Sequence, residues 1–213
     1  MSISLKEIKE RYSGNVPEPI GRHRFFSVLV PLVEKDGEVN LLFELRSRKM
    51  KADPGEICFP GGHVEPDEDF QAAAVRETFE EIGIPEERIE VIGQGNTIFG
   101  YANYTMYTFI GVISYEDYLN ASLCEDEVEA VFLVPLSSFQ RSKPAVYTES
   151  VTVNISEGFP YEFLGIDENY YWRIGKWDIP VYEDIDIDID VHGTRVWGLT
   201  ARIVKNLVDT MEE

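Results

Sequence analysis

Cysteine is scarce in this sequence: its 213 residues contain only two, Cys58 and Cys124. Two cysteines cannot build a disulfide framework or a paired-cysteine zinc motif, and two free thiols are typical of a reducing compartment. There is also no apolar run long enough to cross a bilayer, and residues 1–14 lack the apolar stretch of a signal peptide. We therefore expect a cytoplasmic protein with no membrane partner.

Basic residues are also few. There are 19 Lys and Arg against 39 Asp and Glu, which gives a formal net charge of −20. This balance argues against a general nucleic-acid-binding protein, which needs basic surface to neutralise phosphates. It remains compatible with a small phosphorylated substrate, because a bound cation or local basic residues can reverse the sign of a cleft.

The apolar and aromatic contents, 44% and 12%, are high enough for a substantial core. The predicted helices cover 3–12, 66–83 and 194–213. Predicted strands flank a turn at Asp36-Gly37 and recur in 89–100, 104–113, 127–139 and 146–182, and the alternating acidic tract at 183–193 is expected to be an exposed edge strand. This pattern predicts an α+β fold, with a mixed sheet packed by helices, as one domain spanning 1–213.

The second predicted helix has clear boundary signals. Pro66 and Asp67 suit its start, and Gly83 suits its end. Its apolar residues recur at helical spacing and are expected to form the face that packs on the core. These residues are Ala72, Val75, Phe79 and Ile82.

Three glutamates, Glu77, Glu80 and Glu81, share the other face of this helix, since successive residues are about 100° apart. A solvated charged face is the ordinary explanation for such a cluster. However, like charges at these spacings repel, the end of a helix disfavours anions, and no Lys or Arg follows at i+4 to relieve them. A divalent cation would turn this arrangement into a binding site, and hard carboxylate oxygens suit Mg²⁺ or Mn²⁺.

The region resembles the Nudix box, which spans residues 62–84 here. The matching positions, at the family's spacing, are Gly62, Glu68, Arg76, Glu77, Glu80, Glu81, Gly83 and Ile84. Thr78 is the single departure, since the family usually has an aliphatic residue there. The resemblance implies an α/β/α sandwich with a mixed sheet and a catalytic loop–helix–loop. It also implies metal-dependent hydrolysis of a nucleoside diphosphate linked to another group.

The resemblance assigns roles to individual residues. The implied metal-binding groups are the side chains of Glu77, Glu80 and Glu81 and the carbonyl of Gly61. Arg76 and Glu68 are implied to hold those glutamates in place and so to take part in catalysis. For the general base, either a box glutamate (Glu80 or Glu81) or a carboxylate of the later loop remains open. In that loop we favour Glu127 over Glu125 and Glu129, because of its place in "DEVEAVFLVPL".

A second stretch, "LLFELRSRKMKADPGEICFPGG", resembles the extra signature of the coenzyme A pyrophosphatase subgroup. Its matching residues are Arg46, Ser47, Met50, Gly55, Phe59, Pro60, Gly61 and Gly62. Glu44 departs from the threonine that is usual at its position. The resemblance implies cleavage of coenzyme A to 3′,5′-ADP and 4′-phosphopantetheine, and we expect substrate contacts at Arg46, Ser47, Phe59 and Gly62. Arginine suits the phosphates because it can bind them in a bidentate way.

Other functions stay open at this point. The box does not distinguish coenzyme A from ADP-ribose, nucleotide sugars or dinucleotides. A non-catalytic ligand sensor with the same fold is the alternative of another class, although such modules usually lose box glutamates, and this sequence keeps them all. The tract at about 140–190 is the least familiar part of the chain. Besides a nucleotide substrate, a homodimer is the partner that remains open.

Overall fold

The computed structural model describes residues 3–167, 169–173, 175–185, 187 and 195–212. Its helices are α1 (Leu5–Tyr12), α2 (Phe70–Ile82), α3 (Tyr115–Leu119), α4 (Leu136–Arg141), α5 (Tyr161–Leu164) and α6 (Gly198–Glu212), with a 3₁₀ turn at Glu86–Arg88. Its strands are β1 (Arg24–Lys35), β2 (Glu38–Arg46), β3 (Ile57–Cys58), β4 (Gly61–His63), β5 (Glu90–Gln94), β6 (Ile98–Gly100), β7 (Tyr104–Val112), β8 (Val128–Pro135), β9 (Ala145–Val151), β10 (Gly175–Tyr182) and β11 (Val196–Trp197).

The central sheet is mixed and contains eight strands. The order β3-β2-β1-β7-β5 runs across it, with β4 on β1, β6 on β7 and β8 on β2. Strands β1 and β7 pair in parallel, and the other pairs are antiparallel. The hairpin predicted at Asp36-Gly37 is confirmed: both residues have positive φ, and Lys35 pairs with Glu38 across the turn.

Helices cover both faces of this sheet, because alternate residues of its long strands point to opposite sides. Val28 and Val30 of β1 join a core with Val204 of α6, whereas Leu29 joins a core with Ile82 of α2. A smaller antiparallel sheet, in the order β11-β10-β9, lies on the α6 side, where Tyr182, Trp177 and Val196 join or pack against the first core. The predicted α+β sandwich with a mixed sheet is therefore confirmed.

Helix α2 begins later than the sequence suggested. Its N-cap is Asp69, whose Oδ1 accepts hydrogen bonds from the backbone N–H of Gln71 and Ala72. Pro66 and Asp67 lie in the preceding loop, so the predicted start is wrong by about one turn. Gly83 ends the helix in the left-handed conformation, as predicted.

The predicted packing face of α2 is confirmed for Ile82 and Val75 but is wrong for Ala72 and Phe79. Phe79 is 47% exposed and Ala72 is exposed, whereas Ala74, Thr78 and Ile82 are buried. Thr78 can replace an aliphatic residue on the buried face because its hydroxyl donates to the backbone oxygen of Ala74, at 2.7 Å. The side of the helix that faces the sheet therefore lies closer to the glutamates than the sequence suggested.

Two further expectations concern the ends of the chain. The predicted acidic edge strand lies largely outside the described residues, and Asp184, which is described, is not in a strand. Among the described helices, none is both long enough and apolar enough to span a membrane.

Candidate functional site

The end of α2 directs its carboxylates towards the sheet rather than into open solvent. Glu81 is only 4% exposed and Glu77 is half-buried, whereas the side chain of Glu80 is 53% exposed. The three glutamates that share one face of the helix thus form a graded set that runs from the surface to the interior.

Arg76 ties several of these carboxylates together. Its guanidinium bonds both oxygens of Glu68, at 2.7 and 3.0 Å, Glu77 Oε1 at 3.0 Å and Glu80 Oε2 at 2.9 Å. It also donates to the backbone oxygen of His63, at 3.2 Å. The sequence argument looked for a cation after the glutamates, but the one that neutralises them lies four residues before Glu80. Their mutual repulsion is therefore smaller than the sequence argument assumed.

Glu81 has the least neutralised carboxylate of the helix. Its Oε2 accepts a hydrogen bond of 2.8 Å from the backbone N–H of Gly61. Burial, and next the charge of Glu44, raise the pKa of Glu81 to about 9. Burial also raises the pKa of Glu77, against the effect of Arg76. A bound cation would favour the charged forms of Glu77 and Glu81 and so oppose the effect of burial on their pKa values.

Two glycines let the loop before α2 approach these carboxylates closely. Gly61 has φ of 150°, and a Cβ there would collide with the backbone of Ser27 and Val28 in β1. At Gly62, a Cβ would lie 2.5 Å from the carboxylate of Glu77. Only glycine fits at Gly61, whose backbone is consequently held against Glu81, whereas a side chain at Gly62 would require Glu77 to move.

Among the three candidate bases, Glu127 is the one that interacts electrostatically with the cluster. Its charge acts on Glu44, Glu77 and Glu81. Glu129 instead pairs with Arg48, at 3.5 Å.

Ser47 anchors this later loop, so its expected contact with substrate is corrected. Its N–H donates to the backbone oxygen of Glu127 at 2.8 Å, and its hydroxyl donates to that of Glu125 at 3.3 Å. Ser47 is buried. Lys49 bonds the same loop, at Asp126 and Glu125. The serine therefore positions the Glu127 loop rather than meeting a ligand.

Phe59 is a further correction. It is 3% exposed and stacks on Phe43 with ring centroids 4.7 Å apart, within the α6-side core. It cannot contact a substrate there and instead anchors the strand segment before Gly61.

Arg46 is partly buried beside Glu44 and Glu81, and its Nε has no hydrogen-bond partner.

Sequence reasoning missed Glu44. This β2 residue is 1% exposed; the Cys58 thiol donates to its Oε1 at 3.1 Å, and its Oε2 has no partner. Burial raises the pKa of Glu44 to about 7. The signal was present in the sequence, since a glutamate stands where the subgroup usually has threonine.

The donor set fits a hard divalent cation. Its acidic side chains offer carboxylate oxygens, and one of these oxygens, Oε2 of Glu44, is buried and unpaired. Within the described ranges, no three His, Cys, Asp or Glu side chains already form a metal-binding group. Arg76 bonds one oxygen of Glu77 and one oxygen of Glu80, which leaves the second oxygen of each carboxylate to bind a cation.

A cavity of about 400 Å³ lies elsewhere, on the α6 side of the sheet. Asn96, Arg202 and Asp209 are among its lining residues, and it includes none of the predicted site residues. The carboxylate site is thus separate from this cavity.

Comparisons with known proteins agree with this geometry. The NUDIX domain family matches residues 23–151. "Nudix hydrolase 3" of Caenorhabditis elegans is 34% identical over 185 residues, which cover 75% of this chain and 77% of that protein. "Peroxisomal coenzyme A diphosphatase NUDT7" of Mus musculus is 41% identical over 124 residues, which cover 57% of this chain and 50% of that protein.

A solved structure supports the fold over nearly the whole chain. The MutT/nudix family protein from Enterococcus faecalis aligns with 99% of this chain and 71% of its own, with a TM-score of 0.52 and 15% identity. At that identity the likeness concerns the fold alone. The family match covers the glutamate helix, the glycine loop and most of the central sheet, and this chain therefore belongs to the Nudix hydrolase family.

Proposed function

We propose that this chain hydrolyses coenzyme A, or an acyl derivative, to 3′,5′-ADP and the corresponding 4′-phosphopantetheine, with Mg²⁺ or Mn²⁺. The observation that carries the proposal is the subgroup signature from Arg46 to Gly62, which lies directly against the glutamates of α2. The mouse relative named as a coenzyme A diphosphatase supports it. The chain spans half the length of that relative, so its substrate comes to this chain as a proposal.

In the reaction, the oxygen of a water molecule attacks one phosphorus of the diphosphate, and the bond from that phosphorus to the bridging oxygen breaks. Each product then carries one of the two phosphates. We assign the cation to Glu77, Glu80 and Glu81, with the carbonyl of Gly61. A divalent cation bound there supplies charge neutralisation for the phosphates and acidifies water.

The surrounding residues hold the carboxylates that we assign to the cation in fixed orientations. Arg76 and Glu68 fix the orientation of Glu77 and Glu80 through the hydrogen bonds described above. The N–H of Gly61 fixes Glu81. Such preorganisation matters because charge can then be stabilised in the transition state without a cost of reorganisation.

We assign proton removal from the attacking water to the carboxylate of Glu127. It is exposed, and its charge acts on the same carboxylates that we assign to the cation. Ser47 anchors the loop that carries Glu127. The position of the carboxylate therefore varies less than it would on an unanchored loop. Arg46 is the phosphate-binding residue of the proposal.

The test is product analysis on a panel of substrates. Purified protein is incubated separately with coenzyme A, ADP-ribose and NADH, each with Mg²⁺ or Mn²⁺, and the products are identified by mass. We expect 3′,5′-ADP and 4′-phosphopantetheine from coenzyme A at the highest rate. Faster cleavage of ADP-ribose or NADH would show that the preferred substrate is that compound and not coenzyme A. Cleavage of none of them, with binding retained, would favour the non-catalytic sensor.

Three other expectations stay predictions: the single domain over 1–213, the cytoplasmic location and the homodimer. The mouse relative is named as peroxisomal.

A further inference from the structure

Glu44 occupies an interior position of the central sheet. On β2 it pairs with Cys58 of β3 on one side and with Val131 of β8 on the other. Leu42, two residues earlier, belongs to the core under α2, so Glu44 points to the same face. That face carries α2 and Glu81. A carboxylate here, at 1% exposure, is deep beneath the glutamates of the helix.

The side chain of Glu44 is only half satisfied. The Cys58 thiol holds Oε1, whereas Oε2 is buried with no hydrogen-bond partner. A buried, unpaired carboxylate oxygen is costly, and most such atoms in folded proteins have a partner. The unpaired oxygen is therefore available to bind a ligand.

The charges around Glu44 indicate what kind of ligand that is. Glu77 and Glu127 act on Glu44 with like charge, and Glu44 in turn acts on Glu81. Arg46 acts on Glu44 with opposite charge, but its Nε is itself buried without a partner and thus does not bond Glu44 through that atom. Two guanidiniums, those of Arg46 and Arg76, lie among four carboxylates, so acidic side chains outnumber basic ones here, and carboxylate oxygens suit a hard divalent cation.

We propose that Glu44 is a further ligand of the divalent-cation site, binding the metal through Oε2 from below while Cys58 holds Oε1. This inference rests on the proposed function, because it takes the cation site at Glu77, Glu80 and Glu81 as given. It adds a residue that lies outside the Nudix box. It also gives a physical reason for a glutamate at a position where the subgroup usually has threonine.

The first test measures Mn²⁺ affinity directly, from the electron paramagnetic resonance signal of free Mn²⁺ titrated with the full chain. Glu44→Gln keeps the shape and the Cys58 contact but removes the charge, and Glu44→Thr introduces the residue that is usual in the subgroup. We expect both variants to bind Mn²⁺ at least about tenfold more weakly than the wild type. The matched control is Glu129→Gln, which removes one charge at the start of β8 and should bind as the wild type does.

The outcomes separate this inference from the proposed function. If Mn²⁺ binds to both Glu44 variants within about twofold of the wild type while Glu81→Gln loses affinity, the role of Glu44 is overturned and the cation site stands. If Glu81→Gln also binds as the wild type does, the cation site of the proposed function fails as well.

A second test uses only the wild-type chain, so it does not depend on whether a variant folds. Crystals of the wild-type chain are soaked in Mn²⁺, and anomalous scattering locates the metal. We expect a peak within about 2.5 Å of Glu44 Oε2 and close to Glu81. A peak at the α2 glutamates with Glu44 Oε2 outside bonding distance would show that Glu44 is a structural carboxyl group, and would overturn the inference.

Discussion

The side chain of Glu81 holds a carboxylate where water scarcely reaches it. Helical spacing correctly grouped Glu81 with Glu77 and Glu80, because a helical wheel depends on the sequence alone. Its burial could not be predicted in that way, since it depends on how close the Gly61 loop comes to α2. That approach is set by β1, against which Gly61 packs.

Burial of Glu81 predicts a pH dependence of stability for the metal-free protein. Folded Glu81, with a pKa of about 9, keeps a proton that the unfolded chain, with an ordinary value of 4.5, has released. The stabilisation is therefore fully present below about pH 4.5 and is lost as the pH rises towards about 9. Glu81→Gln should remove this loss, so its melting temperature should exceed that of the wild type by an amount that grows with pH.

The measurement is thermal unfolding of both proteins in EDTA, in steps from about pH 5 to about pH 9. Glu87→Gln, an exposed glutamate just after α2, is the matched control and should follow the wild type. Parallel curves for wild type and Glu81→Gln would contradict the assigned burial effect.

Arg46 gives a second prediction for a single residue. If it binds the 3′-phosphate, Arg46→Ala should lower kcat/KM for coenzyme A by about 10- to 100-fold more than for dephospho-coenzyme A, since hydrogen bonds to charged groups contribute about 1.5–3 kcal/mol. The ratio of kcat/KM for coenzyme A to kcat/KM for dephospho-coenzyme A does not change when less of the protein is folded. Arg48→Ala, whose guanidinium pairs with Glu129, should leave the ratio unchanged. Equal losses on both substrates for Arg46→Ala would remove the 3′-phosphate role.

At the scale of elements, helix α2 shows what a sequence pattern can and cannot specify. Gly83 correctly predicted where the helix ends. The choice between Thr78 and Phe79 for the buried face depended on a hydroxyl bonding the preceding turn, which makes a polar residue acceptable in the core. A prediction from hydrophobic periodicity treats threonine as polar. It therefore placed Phe79, rather than Thr78, on the buried face.

The fit of α2 against its loop can be tested at Gly62. In Gly62→Ala, the added methyl group would meet the carboxylate of Glu77 and displace it. We expect activity to fall by about tenfold or more, since about 1.4 kcal/mol of lost transition-state stabilisation is enough, while the melting temperature changes little. Gly93→Ala is the matched control, because nothing lies within 4 Å of a Cβ there. Full activity in Gly62→Ala would show that Glu77 has room to move without consequence.

At the scale of the whole molecule, the net charge of −20 is opposite to what a polyanionic substrate would favour. The proposed cation site would resolve this conflict locally, because a bound cation replaces mutual repulsion of carboxylates with attraction to phosphate. The same site makes stability depend on metal. Mn²⁺ at about 100 times its Kd should raise the free energy of unfolding by about 2.7 kcal/mol.

Denaturant unfolding with and without Mn²⁺ measures this effect, and Glu81→Gln should lose most of it. An equal gain in the variant would indicate that Mn²⁺ binds elsewhere on the acidic surface.

Local patterns predicted the α+β fold with a mixed sheet, the hairpin at Asp36-Gly37 and the glutamate helix, while the sandwich came from the resemblance to the Nudix family. The sequence predicted neither the burial of Phe59 and Ser47 nor the environment of Glu44. Those depend on contacts between β2, β3 and β8, which are distant in the chain and become visible only when the sheet is assembled.

The most direct test of the proposed site is the turnover of Glu80→Gln with the best substrate of the panel and Mg²⁺ or Mn²⁺. Glu80 is half-exposed, so the fold should be retained, while the lost carboxylate should cost several kcal/mol in the transition state. We predict a fall in kcat of about 100-fold or more at an unchanged melting temperature, with Glu87→Gln as active as the wild type. A rate for Glu80→Gln within about threefold of the wild type would contradict the assignment of catalysis to this cluster.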